Sequence, residues 1–334
     1  MRLENLLALT QGTLQNQPFV TRFEGISFDA EKVKRGNLFI AFNTTDIDEA
    51  ILHGAYGIIF DKRTQIADNE IAWIKVDDVN DTLMRLLRFH LIEKELDVYE
   101  TDRITIKLAQ QIMTDSDFIV LGDSIKDDFM KLWEINDKAK VLYSPKLIDR
   151  DTFVTSKTLP TAYKDEISIV EQTLFETSFI FNDIFYERQL LSPFFISYLE
   201  RLLNFYKMNE INYRIRTFTP IDNFEAVFTN KDLSVKEFGA SDRVLIFEPD
   251  FELIPSQISY LNRQAKWARI IYLLPKAKAQ PFENVEGIFT YESQEEVITL
   301  LKEQAFHFAL VAEQDKTLLE HIALEKTIEQ LSLF

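Results

Sequence analysis

Apolar positions along this chain follow two patterns. Short continuous runs such as Leu38-Phe39-Ile40-Ala41-Phe42, Tyr56-Gly57-Ile58-Ile59-Phe60, Phe118-Ile119-Val120-Leu121 and Val244-Leu245-Ile246-Phe247 read as strands buried on both faces. Other stretches repeat with the period of a helix. From Asp78 to about Lys94, Leu83, Leu86, Leu87, His90 and Leu91 fall on one stripe. Strands and helices alternate through most of the sequence, which predicts an α/β fold with parallel or mixed sheets covered by helices.

A chain of 334 residues is long for one domain. The pattern divides it into three small α/β units at 1–95, 96–207 and 208–334. The first unit is expected to hold a helix at Arg2 to Leu9 and strands at Phe19 to Phe23, Gly25 to Phe28, Leu38 to Phe42, Tyr56 to Asp61 and Ala72 to Val76. Its other helices are Asp48 to His53, closed by Gly54, and Asp78 to Lys94. The second unit has a helix at Asp102 to Met113, then the buried strand from Asp117 that turns at Gly122 into a helix from Asp127. A strand at Lys140 to Tyr143, paired strands at Ile167 to Leu174 and Ser178 to Phe185, and a helix from Ser192-Pro193 to about Lys207 follow. The third unit reads as doubly wound. Its strands are Arg214 to Phe218, Glu225 to Thr229, Leu233 to Phe238, Arg243 to Glu248, Arg269 to Leu274, Gly287 to Thr290 and Phe306 to Ala312. Its helices are Pro255 to Trp267, Ser293 to Ala305 and Lys316 to Leu331.

Composition narrows the function. A formal charge of -17 argues against binding nucleic acid or an anionic membrane, because phosphates are repelled. With no cysteine there is no disulfide, thiol nucleophile or cysteine-ligated metal. No apolar stretch approaches the roughly 20 residues that span a bilayer. The opening MRLENLLALTQG is a poor signal peptide, so a soluble cytoplasmic protein is expected.

Candidate chemistry centres on Asp117 to Asp128. A strand followed by a tight turn and a helix N-terminus is where α/β proteins place phosphates. Gly122 and Lys126 have the spacing of the end of a phosphate-binding loop. Ile125 stands where such a loop has a second glycine, and Asp127 where it has the Ser or Thr that holds magnesium. Asp123, Asp127 and Asp128 add negative charge beside any triphosphate, so acids at a helix N-terminus is the preferred reading. His53, His90, His307 and His321 show no metal-ligand spacing; His90 is expected on a core stripe. Arg214 and Arg216 alternate along one side of a strand, open to an anion or to surface salt bridges, the latter being preferred in so acidic a protein. The aromatic run from Phe175 to Tyr206 reads as core or as a surface for a partner or self-contact, core being preferred.

Ser27-Phe28-Asp29-Ala30-Glu31-Lys32-Val33-Lys34-Arg35-Gly36-Asn37-Leu38-Phe39-Ile40-Ala41 resembles the opening signature of the Mur ligases, cytoplasmic enzymes that add amino acids to UDP-N-acetylmuramic acid. Ala50 to Ile59 and Val76-Asp77-Asp78-Val79 resemble the segments that follow it. The resemblance implies that the first unit descends from one that holds the UDP end of a substrate, near Ser27 and Asp29. It implies that Gly122 to Lys126 is the remnant of an ATP loop. Towards the end, Glu248 to Ser256 and Ala309 to Gln314 are similar to segments of the member that adds D-Ala-D-Ala. The departures fall at the chemistry. Ala30 and Glu31 replace a Ser and an Arg, Asn43-Thr44-Thr45-Asp46 shortens a Gly-rich loop, and the helix at Ser192 lacks the family's Gly, His and Asn.

The expectation is therefore a degenerate, shortened Mur ligase-like bacterial protein whose ATPase core is largely lost. It would be non-catalytic and act in peptidoglycan synthesis by binding a protein partner, itself or a UDP-sugar peptide. Gly122 and Lys126 would be vestiges of a cofactor site, and Ser27 and Asp29 of the UDP-sugar region. No catalytic residue, metal ligand or cofactor is assigned. Two alternatives stand beside it: an active ligase or UDP-sugar enzyme with a rebuilt site, needing ATP and Mg²⁺, and a structural subunit that oligomerises.

Overall fold

The structure, a computed structural model, describes residues 1–114, 117–122, 124–160, 166–241 and 243–320. It divides into two compact units, Met1–Gln110 with Thr114–Pro160, and Gln111–Met113 with Thr161–Phe334. These units are drawn from contacts within the fold and do not coincide with the sequence-based boundaries at 95 and 207.

The first unit opens with α1 (Leu3–Thr10), followed by β1 (Thr13–Leu14), β2 (Gly25–Ser27), β3 (Asn37–Ile40), α2 (Ile47–Leu52), β4 (Gly57–Phe60), β5 (Ala72–Lys75) and α3 (Val79–Leu91). The five strands form one sheet in the order β1-β5-β4-β3-β2. β2 to β5 are parallel, with Phe39 opposite Ile58 and Ile58 opposite Trp73; β1 alone is antiparallel. Then come β6 (Asp97–Glu100), α4 (Arg103–Gln111), β7 (Met113–Thr114), β8 (Phe118–Val120), α5 (Ile125–Trp133), β9 (Lys140–Tyr143) and β10 (Lys157–Thr158). A second, fully parallel sheet runs β10-β6-β9-β8. Leu83, Leu86, Leu87 and Leu91 of α3 meet Phe129 and Leu132 of α5 in a core that also takes Ile40, Ile59 and Ile74 from the first sheet and Val98 and Val141 from the second. One core thus serves both sheets.

The second unit begins its described part with an antiparallel meander, β11 (Ser168–Gln172), β12 (Thr177–Phe181) and β13 (Ile184–Gln189). Ser192 caps a 3₁₀ turn at Pro193–Phe195 that opens α6 (Ile196–Met208), and β14 (Tyr213–Arg214) follows. Then come β15 (Glu225–Phe228), β16 (Val244–Glu248), α7 (Ile254–Gln264), β17 (Ile270–Pro275), β18 (Ile288–Tyr291), α8 (Gln294–Glu303) and β19 (Phe308–Ala312). Their sheet runs β15-β16-β19-β17-β18 and is parallel except for β15. Of the aromatic run, Phe179, Phe181, Phe195, Phe205 and Tyr206 are buried, as a core requires.

Three expected strands are corrected. Phe19 to Phe23 forms none; Phe19 is 85% exposed, and the stretch is held by single backbone bonds and one bridge between Arg2 and Arg22. Leu233 to Phe238 is broken because the Asn230 side chain accepts from the amides of Asp232 and Ser234, curling the chain into a turn with Leu233 at φ +59°. Of Arg214 to Phe218 only Arg214 is strand, as the second residue of Tyr213–Arg214. The helix expected at Lys316 to Leu331 lies largely outside the described residues, as do Asp123 and His321.

Candidate functional site

The turn between β8 and α5 is built around Gly122. Its φ is +130°, and a Cβ there would lie 2.8 Å from Ile106 Cγ2 and 3.0 Å from Leu147 Cδ1, so only glycine fits without strain. The Gly122 amide points not to solvent but to Asp128, donating to both carboxylate oxygens at 3.1 and 2.9 Å. Asp128 is buried. It shares the core-facing side of α5 with Phe129 and Leu132, and is not the solvated helix-terminal acid that the sequence suggests. That it lies four residues before Leu132 on the apolar stripe was the available signal.

The polar side chains of the other described residues at this turn also have partners within the protein. Ser124 caps α5: its Oγ accepts from the Asp127 amide at 3.1 Å and donates to Asp127 Oδ2 at 2.6 Å. The Lys126 Nζ sits 4.7 Å from the centroid of the Phe42 ring. Lys131 donates to the Val120 carbonyl at 3.0 Å and lies 3.9 Å from Asp128 Oδ1.

Ser27 and Asp29 lie at the end of β2, close to this turn. Ser27 Oγ donates to the Asp29 carbonyl at 2.9 Å. The Asp29 carboxylate accepts from the Glu31 amide at 3.1 Å and pairs with Lys32 at 3.0 Å. The Lys32 hydrogen bond holds the Asp29 carboxyl below its ordinary value, and Lys126 adds to the effect. Between the two regions, Phe28 packs 6.0 Å from Phe42 and edge-on to Phe129 at 5.2 Å. The fold therefore gathers Ser27, Asp29, Gly122 and Lys126 at one corner of the first unit, each with a partner inside the protein. A cleft of about 250 Å³ opens at the turn itself, lined by Gly122, Ser124, Ile125, Met84, Leu87 and Leu147 with Asp128 in its wall.

Two further buried carboxylates escaped sequence reasoning as sites. Glu100, at the end of β6, receives Arg150 at 2.8 Å on each oxygen and the Thr158 hydroxyl at 2.9 Å. Burial pushes its carboxyl up, and these bonds more than offset that, leaving it below the ordinary range. Glu248, at the end of β16, is fully buried. It accepts from Asn223 Nδ2 at 2.6 Å, the Phe224 amide at 3.1 Å, the Asp250 amide at 2.8 Å and Gln257 Nε2. Burial raises its carboxyl above the ordinary value against the pull of these donors. Its position at a strand end, between the β15 connection and α7, makes it a clamp on the 223–224 turn.

Two of the described histidines have partners within the protein. His90 stacks on Trp133 at 4.3 Å, and burial lowers its pKa. His307 Nδ1 accepts from the Arg269 amide at 2.9 Å. Among the described residues, no group of three His, Asp or Glu is placed to hold a metal ion, and no helix is long and apolar enough to cross a membrane.

No protein-family model matches the sequence, and no curated protein matches it. Comparison of the fold with solved structures does find similarity. MurF from Acinetobacter baumannii superposes with a TM-score of 0.51 at 9% identity, over 97% of this chain and 98% of that one. The fold is Mur ligase-like. The MurF ligase of Thermotoga maritima, solved in complex with ADP, gives a TM-score of 0.48 at 12% identity, over 94% of this chain and 99% of that one. The superposition on the Acinetobacter protein, at 9% identity, shows the Mur ligase-like fold alone and nothing of its chemistry. Within that fold, the Gly122 amide bonds to Asp128, the Ser124 hydroxyl to Asp127, and the Lys126 ammonium lies over the Phe42 ring.

Proposed function

We propose that this chain is a non-catalytic Mur ligase-like protein of the cytoplasm that acts in peptidoglycan synthesis by binding rather than by chemistry. A protein partner is the preferred ligand, ahead of a peptidoglycan precursor. The observation that carries this reading is the bond from the Gly122 amide to Asp128. A phosphate loop works by aiming unpaired backbone amides at an anion. Here the protein supplies the anion itself, and a triphosphate approaching the same amide meets a buried carboxylate. Lys126, the one cation at loop spacing, spends its charge on the Phe42 ring and on Asp29. Forming an amide through an acyl phosphate needs a nucleotide, a metal and charge neutralisation together. The Ser27–Asp29 corner supports the same reading, because its polar groups bond to one another or to Lys32.

Calorimetric titration with ATP and Mg²⁺ is the test. No saturable heat is expected. Saturable binding that disappears in Lys126→Ala would overturn the reading in favour of a rebuilt ligase. A parallel titration with a UDP-N-acetylmuramyl peptide separates the two ligand classes: binding makes the chain a carrier or sensor of precursor, and its absence leaves a protein partner.

A further inference from the structure

We propose that the surface where β17 begins, carried by Lys266, Trp267 and Arg269, is a docking site for an acidic segment of a partner protein. This rests on the partner-binding reading and names the surface and chemistry involved. About one residue in six of this chain is Asp or Glu, yet Leu253 to Phe282 runs thirty residues with none and carries five Lys or Arg. Two of the five are spent at the far end of β17, where Lys276 pairs with Glu292 and Lys278 with Glu313. The other three are Arg263, on the last turn of α7, and Lys266 and Arg269, in the loop from α7 to β17. All three are exposed, and among the described residues none of them forms an ion pair.

The local shape suits a ligand of opposite charge. An open groove of about 470 Å³ lies between the end of α7 and the start of β18, with Asn262, Lys266, Arg269, Tyr272, Glu286 and Phe289 in its lining. Two unpaired cations and one carboxylate leave it positive in a chain of net charge -17. Its floor is fixed. The Tyr272 hydroxyl donates to Asn262 Oδ1 at 2.8 Å, and a Cβ at Gly287 would lie 2.6 Å from the Ile270 carbonyl oxygen, so β18 starts hard against β17. Trp267, between Lys266 and Ala268 of the lining, is 73% exposed. Its ring rests on His307 at 5.5 Å and Phe308 at 6.0 Å. A held, exposed tryptophan beside a free arginine is the composition of an interface hot spot. The guanidinium matches a carboxylate in a planar, two-pronged geometry, and the indole takes an apolar side chain. A peptide segment that carries both meets the site. Two cations against a carboxylate are too few to neutralise a run of phosphates on so acidic a chain, which favours a protein over a nucleic acid.

Fluorescence anisotropy of the full chain tests this with a fluorescein-labelled decapeptide of Glu interrupted by Leu, at low ionic strength. Saturable binding is expected, weakening as salt is raised and falling about tenfold or more in K266Q/R269Q and about fivefold or more in W267A. K276Q/K278Q removes the same charge at the other end of β17 and should bind as the native chain does. Unlabelled peptide gives a second readout. Trp73 is fully buried and Trp133 half-buried, so Trp267 is the tryptophan most open to acrylamide. Saturating peptide should lower acrylamide quenching of the native chain and leave that of W267F unchanged. The proposal is overturned if the peptide fails to bind, if K276Q/K278Q weakens it as much as K266Q/R269Q, or if quenching does not change. It is also overturned, in favour of nucleic acid, if labelled oligothymidylate binds more tightly than the peptide and loses that binding in K266Q/R269Q. The substituted side chains are exposed, and circular dichroism of the variants checks that they fold. Saturable ATP binding in the same preparation would overturn the pseudoenzyme reading while leaving this surface standing, so the two failures are distinct.

Discussion

Gly122 has no room for a methyl group. Ile106 and Leu147 would both be within 3.0 Å of it, at a backbone angle that other residues avoid. Gly122→Ala is expected to cost about 2–3 kcal/mol, read as a lowered urea midpoint with an unchanged slope. Glu248 makes a pH prediction. Burial raises its carboxyl in the folded protein, so the native state holds the proton more tightly than the unfolded chain. The stability it contributes is then fully present below the ordinary carboxylate value and is lost as pH rises towards the raised one. The stability difference between the native chain and Glu248→Gln should shrink as pH rises through that window. A difference independent of pH, by urea titration, would refute it.

α5 ties loop to core. Phe129 is fully buried, stacks on Trp133 at 5.3 Å and meets Phe28 edge-on. Phe129→Ala should cost about 3–5 kcal/mol in chemical denaturation. Elements of this kind were legible in the sequence. The Lys140–Tyr143 strand is as expected, and α3, β4 and α8 lie within a few residues of their predicted limits. Strong apolar runs and a Ser cap with Glu three residues on specify them locally. The misses are elements whose state is decided by partners distant in sequence. β6 reads as polar, Asp-Val-Tyr-Glu, because its Glu100 is buried only by virtue of Arg150 fifty residues on. The Leu233 stretch reads as a strand because hydrophobicity says nothing of the Asn230 turn. The same limit applies to the candidate site. Its four residues could be named from spacing and family resemblance, whereas the role of Asp128 needed the fold to bring it under Gly122.

For the whole chain, a net charge of -17 sets a background repulsion among its own carboxylates. Salt should relieve it. Thermal unfolding is expected to shift upward by a few degrees between very low and physiological ionic strength, as screening shortens to roughly 8 Å. A flat or falling midpoint would mean that specific ion pairs such as Arg150–Glu100 outweigh the general repulsion. At this scale the sequence conveyed the alternation of strands and helices, whereas the sharing of one core between two sheets by α3 and α5 needed the fold.

The carboxylate beneath Gly122 also bears on how this turn could be engineered. Removing Asp128 alone strands a buried amide, and placing a glycine at Ile125 alone leaves the negative charge where it is. A variant meant to hold an anion at this amide therefore has to change both positions together: the internal bond makes the two sites one unit of design.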